Sequence, residues 1–135
     1  MQNFEQIRAH VAANYPLTAN EPYLIGIEIS LAHGRRRQGI FLAELEGDDQ
    51  RKYLRVSTAI APMTGIDARR ALSFNWAQRV GYLAVSELDG VPYLQLCDNR
   101  PYTALTAAEL DRLALEIGGL GDRLEQAFSN GGDIF

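Results

Sequence analysis

Two strands joined by a tight turn, followed by one long helix, are the features of this sequence that most limit its fold. Residues 80–88 and 91–97 are rich in apolar, β-branched and aromatic side chains, and Asp89-Gly90 joins them. This residue pair suits the two positive-φ positions of a type I′ turn. The sequence therefore predicts an antiparallel hairpin.

A long amphipathic helix is predicted over residues 106–128. Thr106 can cap its first turn while Glu109 reaches back to Thr106, which is the pattern of a capping box. Further along, apolar residues recur at alternating steps of three and four and form one stripe, consisting of Leu110, Leu113, Ile117, Leu120, Leu124 and Ala127. Such a stripe must be covered, and a sheet covers it most economically.

A glycine-rich segment, Gly118-Gly119-Leu120-Gly121, lies inside this helix. It lacks the Lys-Ser/Thr of a phosphate-binding Walker motif, and it does not join a strand to a helix N-terminus. We therefore expect these glycines to allow close packing against the sheet or a partner. Because each glycine costs a helix up to roughly 1 kcal/mol relative to alanine, a bend or break of the helix is a second expectation.

The first half of the chain predicts a helix, three strands and a second helix. Phe4, Ile7 and Val11 follow helical spacing, and Asp67 can cap a second helix that ends near residue 78. Between the helices, period-two alternation of apolar residues indicates three strands, at residues 23–32, 37–46 and 52–61.

The predicted order of elements is α-β-β-β-α-β-β-α. This order favours an α+β fold in which an antiparallel five-stranded sheet has helices packed on it. A chain of 135 residues has the length of one domain, so we expect a single domain over residues 1–135. Its last residues, 129–135, include Asn-Gly-Gly and are predicted to form a flexible tail.

Composition limits the classes of partner and the compartment. Asp and Glu number 17 against 13 Lys and Arg, a formal net charge of −4, which provides no general attraction to nucleic acid or to an anionic membrane. No apolar run has membrane-spanning length, and the N-terminus lacks a signal-peptide pattern. We therefore expect a cytoplasmic protein without nucleic-acid or membrane partners. The single cysteine, Cys97, is expected to be a buried strand thiol.

The sequence contains no recognisable catalytic motif. His10 and His33 are the only histidines, and with one cysteine they give no zinc-binding spacing. No Ser-His-Asp or Cys-His arrangement occurs, and the carboxylates do not nominate an acid and base pair. We therefore expect no catalytic residues, no metal and no cofactor.

The first two strands carry apolar side chains on both faces. In the second strand, Ile40 and Leu42 point to the side opposite to Phe41. Both faces of a sheet are hidden only if helices cover both or if a partner covers one. At the level of the sequence both explanations stay open.

The order of elements and several short motifs resemble the type III secretion chaperone-like superfamily, which includes the CesT-type class I chaperones and the YbjN-like proteins. The resemblance spans nearly the whole chain. It is closest in the second half, in the motifs Ala71-Leu72-Ser73-Phe74-Asn75-Trp76, Gly81-Tyr82-Leu83-Ala84-Val85, Asp89-Gly90, Tyr93-Leu94-Gln95-Leu96 and Leu105-Thr106-x-x-Glu109-Leu110.

The resemblance implies a non-enzymatic homodimer that holds an extended segment of another protein. Such a segment can add main-chain hydrogen bonds along a strand edge while its side chains enter pockets. The residues expected to contact the partner lie on the first helix and the second strand, and they are Phe4, Ile7, Val11, Phe41 and Leu42.

The dimer interface is expected at Phe74 and Trp76. These aromatic side chains lie on a second helix that is too short to bury both on one sheet, and their ring area suits an interface core. Two alternatives remain open for the function. One is a small-molecule-binding or enzymatic domain with a pocket between sheet and helices, and the other is a regulatory or immunity-type protein that binds one folded partner.

Overall fold

The computed structural model of the protein describes residues 1–129, except for the side chains of residues 128 and 129. The predicted flexible tail at residues 129–135 therefore lies outside the described residues, apart from the backbone of Ser129.

Within residues 1–129, six strands form one antiparallel sheet, accompanied by three α-helices and a short 3₁₀ turn. The helices are α1 (Phe4–Asn14), α2 (Ala68–Ala77) and α3 (Ala107–Ser129). The strands are β1 (Ala19–Glu21), β2 (Leu24–Leu31), β3 (Arg36–Glu46), β4 (Lys52–Pro62), β5 (Tyr82–Leu88) and β6 (Val91–Pro101). Their order across the sheet is β1-β2-β3-β4-β6-β5, so β1 and β5 form its edges.

The predicted α+β class, the antiparallel sheet and the order of the main elements are confirmed, but the predicted count of five strands is wrong. The additional strand, β1, has only three residues and pairs with Leu24, Ile25 and Gly26 at the start of β2. Its residues are mostly exposed. They therefore carry no apolar alternation from which a strand could be predicted.

The local signals at the turn and the helix starts act largely as expected. Asp89 and Gly90 both have positive φ angles, 51° and 81°, as a type I′ turn requires. The Thr106 hydroxyl accepts a hydrogen bond from the Glu109 backbone N–H at 3.1 Å, so the predicted cap forms. The Glu109 carboxylate, however, lies 3.3 Å from the Arg112 guanidinium instead of reaching back to Thr106.

The core lies on one face of the sheet, beneath α1 and α3. The predicted stripe of α3 is confirmed, since Leu110, Leu113, Ile117 and Leu124 are almost completely buried. They meet the isoleucines of β2 and β3, which are equally inaccessible. α1 runs beside α3, where His10 Nε2 lies 2.7 Å from Asp111 Oδ1. No helix within residues 1–129 combines the length and apolarity that crossing a membrane requires.

The glycines of α3 bring this helix close to the sheet. α3 is one continuous helix, so the expected break does not occur. A Cβ added to Gly118 would touch Ile29 and Ile40 at 3.4 to 3.5 Å, and one added to Gly121 would lie only 2.5 Å from Thr58 Cγ2. The predicted close packing against the sheet is therefore confirmed at these two positions.

Thr58 has no freedom to give way to such a Cβ. Its side chain is completely buried. Its hydroxyl accepts a hydrogen bond from Gln38 Nε2 at 2.8 Å and donates one to the Gly39 carbonyl at 2.6 Å. By contrast, a Cβ on Gly119 would approach only the end of the Arg123 side chain, at 3.8 Å.

We predict opposite effects for two glycine-to-alanine substitutions in this helix. Gly121→Ala should lower the free energy of unfolding by about 1–3 kcal/mol, because the new methyl group overpacks against Thr58. Gly119→Ala should raise it by up to about 1 kcal/mol through helix propensity alone. Urea denaturation followed by circular dichroism measures both. Stabilisation by both substitutions would contradict the close approach of α3 to the sheet.

Candidate functional site

The face of the sheet opposite to α1 and α3 forms a shallow concavity of about 260 Å³. Every residue that lines it belongs to a strand, so no helix of the described residues takes part. We call this surface the open face. Its lining residues are Leu24, Phe41, Ala43, Arg55, Ser57, Tyr82, Ala84, Ser86, Leu88, Gln95 and Cys97, together with Val85.

The register of the strands places these side chains in one row across the sheet. Gly26 pairs with Phe41, Phe41 with Ser57, Ser57 with Cys97, and Cys97 with Tyr82. Directly paired residues of antiparallel strands point to the same face. The Phe41 ring lies over Gly26, where an added Cβ would be 3.3 Å from Phe41 Cε1. The open face thus has an aromatic side chain towards each end of this row.

Three polar side chains of the open face form hydrogen bonds with their neighbours. The Tyr82 hydroxyl donates a hydrogen bond to Asn99 Oδ1 at 3.1 Å, and Gln95 Nε2 donates one to Ser86 Oγ at 2.8 Å. A partner that covers the open face would therefore contact mainly apolar side chains. Such a surface is suited to binding by burial of apolar area.

The only thiol of the chain is not poised for chemistry. Cys97 is buried, and this burial raises its pKa to about 11, with the nearby Arg55 charge opposing the shift. Burial likewise raises the pKa of the Tyr82 hydroxyl. Both groups are therefore protonated at neutral pH, and a protonated thiol is a poor nucleophile.

Metal binding also finds no support in the part of the chain that the structure describes. Within residues 1–129, no three His, Cys, Asp or Glu side chains cluster closely enough to hold a metal ion.

The five residues predicted to contact a partner do not form one surface. Phe4, Ile7 and Val11 are buried where α1 packs on the core, and Leu42 is buried on the same face of the sheet. Phe41 alone lies on the open face, where it is partly buried. The role of these residues in partner binding stays a prediction, but four of the five are inaccessible in this conformation.

The structure separates the two residues predicted at the dimer interface. Phe74 is buried, whereas Trp76 is 94% exposed. Leu72, which is four residues before Trp76 and so shares its face of α2, is 68% exposed. Leu72 and not Phe74 accompanies Trp76 at the surface, and the role of Phe74 and Trp76 in a dimer interface stays a prediction.

α2 also covers part of the sheet edge. The Asn75 side chain donates a hydrogen bond to the Leu83 carbonyl at 3.1 Å and accepts one from the Leu83 N–H at 2.6 Å. In this way Asn75 takes the place of a neighbouring strand at one residue of β5. Alternate residues of a strand direct their N–H and C=O groups to the same edge, so those of Val85 and Glu87 lie on the same edge as those of Leu83 but are not bonded by Asn75.

The open face could have been located only in part from the sequence. Alternation within the third strand puts Arg55 and Ser57 on one side, but alternation does not say which side the helices cover. The contributions of Tyr82, Gln95 and Cys97 depend on β6 pairing with β4, a long-range contact that no local pattern specifies.

No family model and no curated protein matches this sequence. Solved structures match in fold. A chain of the ExsC–ExsE complex superimposes with a TM-score of 0.65 at 14% identity, over 93% of this chain and 96% of that one. A chain of the HopA1–SchA chaperone–effector complex gives a TM-score of 0.60 at 14% identity, over 88% and 89%. The protein therefore shares the fold of these two chains, as the resemblance to the type III secretion chaperone-like superfamily implies.

Proposed function

We propose that the protein is a non-enzymatic, chaperone-like binding protein that holds an extended segment of another protein on its open face. The observation that carries this proposal is an apolar, concave sheet face over which no described helix lies. Sheets with one exposed face normally alternate apolar residues inward with polar residues outward. Here Leu24, Phe41 and Leu88 stand on the outward face and are incompletely buried.

This arrangement bears on the two explanations that the sequence leaves open. Within residues 1–129, the helices cover one face of the sheet and leave the other, so cover by the chain's own helices does not account for the second apolar face. Exposed contiguous apolar surface is typical of a binding site. A protein partner is the second explanation, and the similarity in fold to a chain of a chaperone–effector complex supports it.

The shape of the open face favours a segment over a small compact ligand. The row from Gly26 to Tyr82 crosses five strands, which at their usual spacing of about 4.8 Å span about 19 Å. That distance accommodates about six residues of extended chain. The concavity is also shallow and holds no acid and base pair in its lining, which argues against an enzyme. We propose an effector-like or regulatory protein as the partner, on the similarity in fold to a chain of a chaperone–effector complex.

The first prediction for this function concerns capture of the partner. The immobilised protein should retain a specific protein from a lysate of its own cells, and Ala84→Arg should abolish this retention by filling the open face. Ala84 lies on an edge strand and is partly exposed, so the substitution should leave the fold intact. Mass spectrometry of the retained fraction is the measurement.

Leu115→Arg is the matched control for this experiment. Leu115 is 51% exposed on α3, away from the open face, so this variant should retain the partner like the wild type. Retention that Ala84→Arg leaves unchanged, or a metabolite that raises the melting temperature with a saturation curve while no protein is retained, would contradict the proposed function.

We propose further that two copies of the chain associate through α2 and the edge of β5. Trp76 and Leu72 present a large apolar area next to this edge, and Val85 adds an exposed apolar side chain on β5 itself. Aromatic side chains that are buried on association contribute strongly to interface stability. The backbone groups of β5 beyond Asn75 add a possible pairing edge.

Sedimentation equilibrium tests this association. The wild-type chain should be a dimer at micromolar concentration, and Trp76→Glu should be monomeric because a charge would then be buried at the interface. Tyr23→Glu removes another exposed aromatic side chain, at the far edge of the sheet, and should remain dimeric. A wild-type monomer at high micromolar concentration would rule out the dimer, and a dimer that survives Trp76→Glu would place its interface elsewhere.

Two finer expectations from the sequence stay predictions within this proposal. The first is that the chain resembles the YbjN-like proteins in particular, and the second is that the protein is cytoplasmic.

A further inference from the structure

Arg55 is the one charged residue among those that line the open face. It is partly buried, and its register partners are Ala43 on β3 and Asn99 on β6. Neither neighbour is a carboxylate. Within residues 1–129, the Arg55 guanidinium makes no hydrogen bond and no ion pair, a condition that sets it apart from the other strand arginines.

Those other arginines are paired with carboxylates. Arg36 lies 3.1 Å from Asp122, Arg37 lies 3.4 Å from Glu28, and Arg100 lies 2.7 Å from Asp98. Arg37 is on the same face of the sheet as Arg55, because it lies four positions before Phe41 on β3 and side chains of a strand alternate between the two faces. The absence of a partner is therefore specific to Arg55 among the strand arginines of the described chain.

The Arg55 charge acts on two neighbours that line the same concavity. The guanidinium acts to lower the pKa of both the Cys97 thiol and the Tyr82 hydroxyl, against the larger effect of their burial. Both side chains line the concavity. Arg55 lines the same concavity as these two side chains, so its charge lies beside the apolar row of the open face.

The side-chain acceptor on one register partner of Arg55 is already engaged, since Asn99 Oδ1 accepts from the Tyr82 hydroxyl. A partly buried cation with no acceptor carries a desolvation cost that is uncompensated in the free chain. Any segment that covers the open face would increase that cost unless it supplies an acceptor, and an anion compensates it most fully.

A carboxylate is the anion that an extended protein segment can supply at this point. The planar guanidinium binds a carboxylate through two parallel hydrogen bonds, and charge assistance makes these bonds stronger than neutral ones. Apolar residues on either side of that carboxylate would meet Phe41 and Tyr82. One segment can therefore satisfy the charge and the apolar surface together.

We propose that Arg55 is the specificity-determining residue of the open face and that it selects a partner segment with an Asp or Glu flanked by apolar residues. This inference rests on the proposed function, since it names the chemistry of the segment that the open face holds. Apolar segments without a carboxylate bind more weakly because they cover the guanidinium without supplying a counter-charge.

Selection of peptides from a random library tests the proposal without knowledge of the natural partner. A phage-displayed library of 12-residue peptides is selected separately on the wild-type protein, on Arg55→Glu and on Arg37→Glu. The wild type should enrich peptides with one acidic position between apolar residues. Arg55→Glu should replace that acidic position by Lys or Arg, whereas Arg37→Glu, which makes the same charge change outside the concavity, should return the wild-type consensus.

A second measurement covers the case in which Arg55→Glu does not fold. A synthetic peptide with the wild-type consensus should bind Arg55→Gln about 10- to 100-fold more weakly than the wild type by isothermal titration calorimetry, the range expected for loss of a charge-assisted hydrogen bond. Replacing its acidic residue by Gln should weaken binding to the wild type by a similar factor, and should have little effect on binding to Arg55→Gln.

The outcomes distinguish this inference from the proposed function. Enriched peptides that compete with one another for the open face but show no acidic position, or an acidic position that survives Arg55→Glu, would overturn the role of Arg55 and leave the function standing. If no peptide is enriched and decanoate binds saturably in an Arg55-dependent manner, the open face holds a small amphipathic carboxylate, and both the segment and the proposed function are overturned.

Discussion

The close contact of α3 with the sheet is the interaction on which the rest of this structure depends. Gly121 meets Thr58 and Gly118 meets the isoleucines of β2 and β3 without intervening side chains. The helix can therefore lie directly on the sheet, where Ile117 and Leu124 become completely buried. This contact decides which face of a sheet with apolar residues on both sides becomes the core.

The open face is a consequence of that choice. α1 and α3 both pack on the core face, and within the described residues α2 lies at the β5 edge, where Asn75 bonds to Leu83. The outward row from Gly26 to Tyr82 then has no helical cover, although it includes Phe41 and the nearly inaccessible Cys97. Hydrogen bonds join Tyr82 to Asn99 and Gln95 to Ser86 on this face, where apolar side chains and the single charge of Arg55 remain for contacts with a partner.

Local signals in the sequence predicted the elements well, because their causes are local. The hairpin turn needs positive φ at Asp89 and Gly90, and the start of α3 needs an acceptor at Thr106, so a few residues suffice to define each. The glycines of α3 were ambiguous between a break and close packing, since helix propensity is local whereas packing on Thr58 is not. β1 was missed because pairing with β2, and not apolar alternation, creates it.

The candidate site was less predictable, because faces and interfaces are set by long-range contacts. Alternation identified two apolar faces but not the one that α1 would cover, so Phe4, Ile7 and Val11 were expected at a surface and are buried. Spacing of two along α2 separates Phe74 from Trp76 by about 200°, which explains why one ring is buried and the other exposed. Nothing in the sequence distinguishes Arg55, because an arginine on a strand is ordinary until the carboxylates around it are known.

Photo-cross-linking from the open face tests the central claim most directly, since it identifies the surface that the partner touches in the cell. Benzoylphenylalanine is placed at position 41 on the open face or at position 115 on α3, and the cells that produce the protein are irradiated. Our account predicts a cross-linked species of a second protein from position 41 and none from position 115. Cross-linking to a second protein from position 115 and not from position 41 would contradict it.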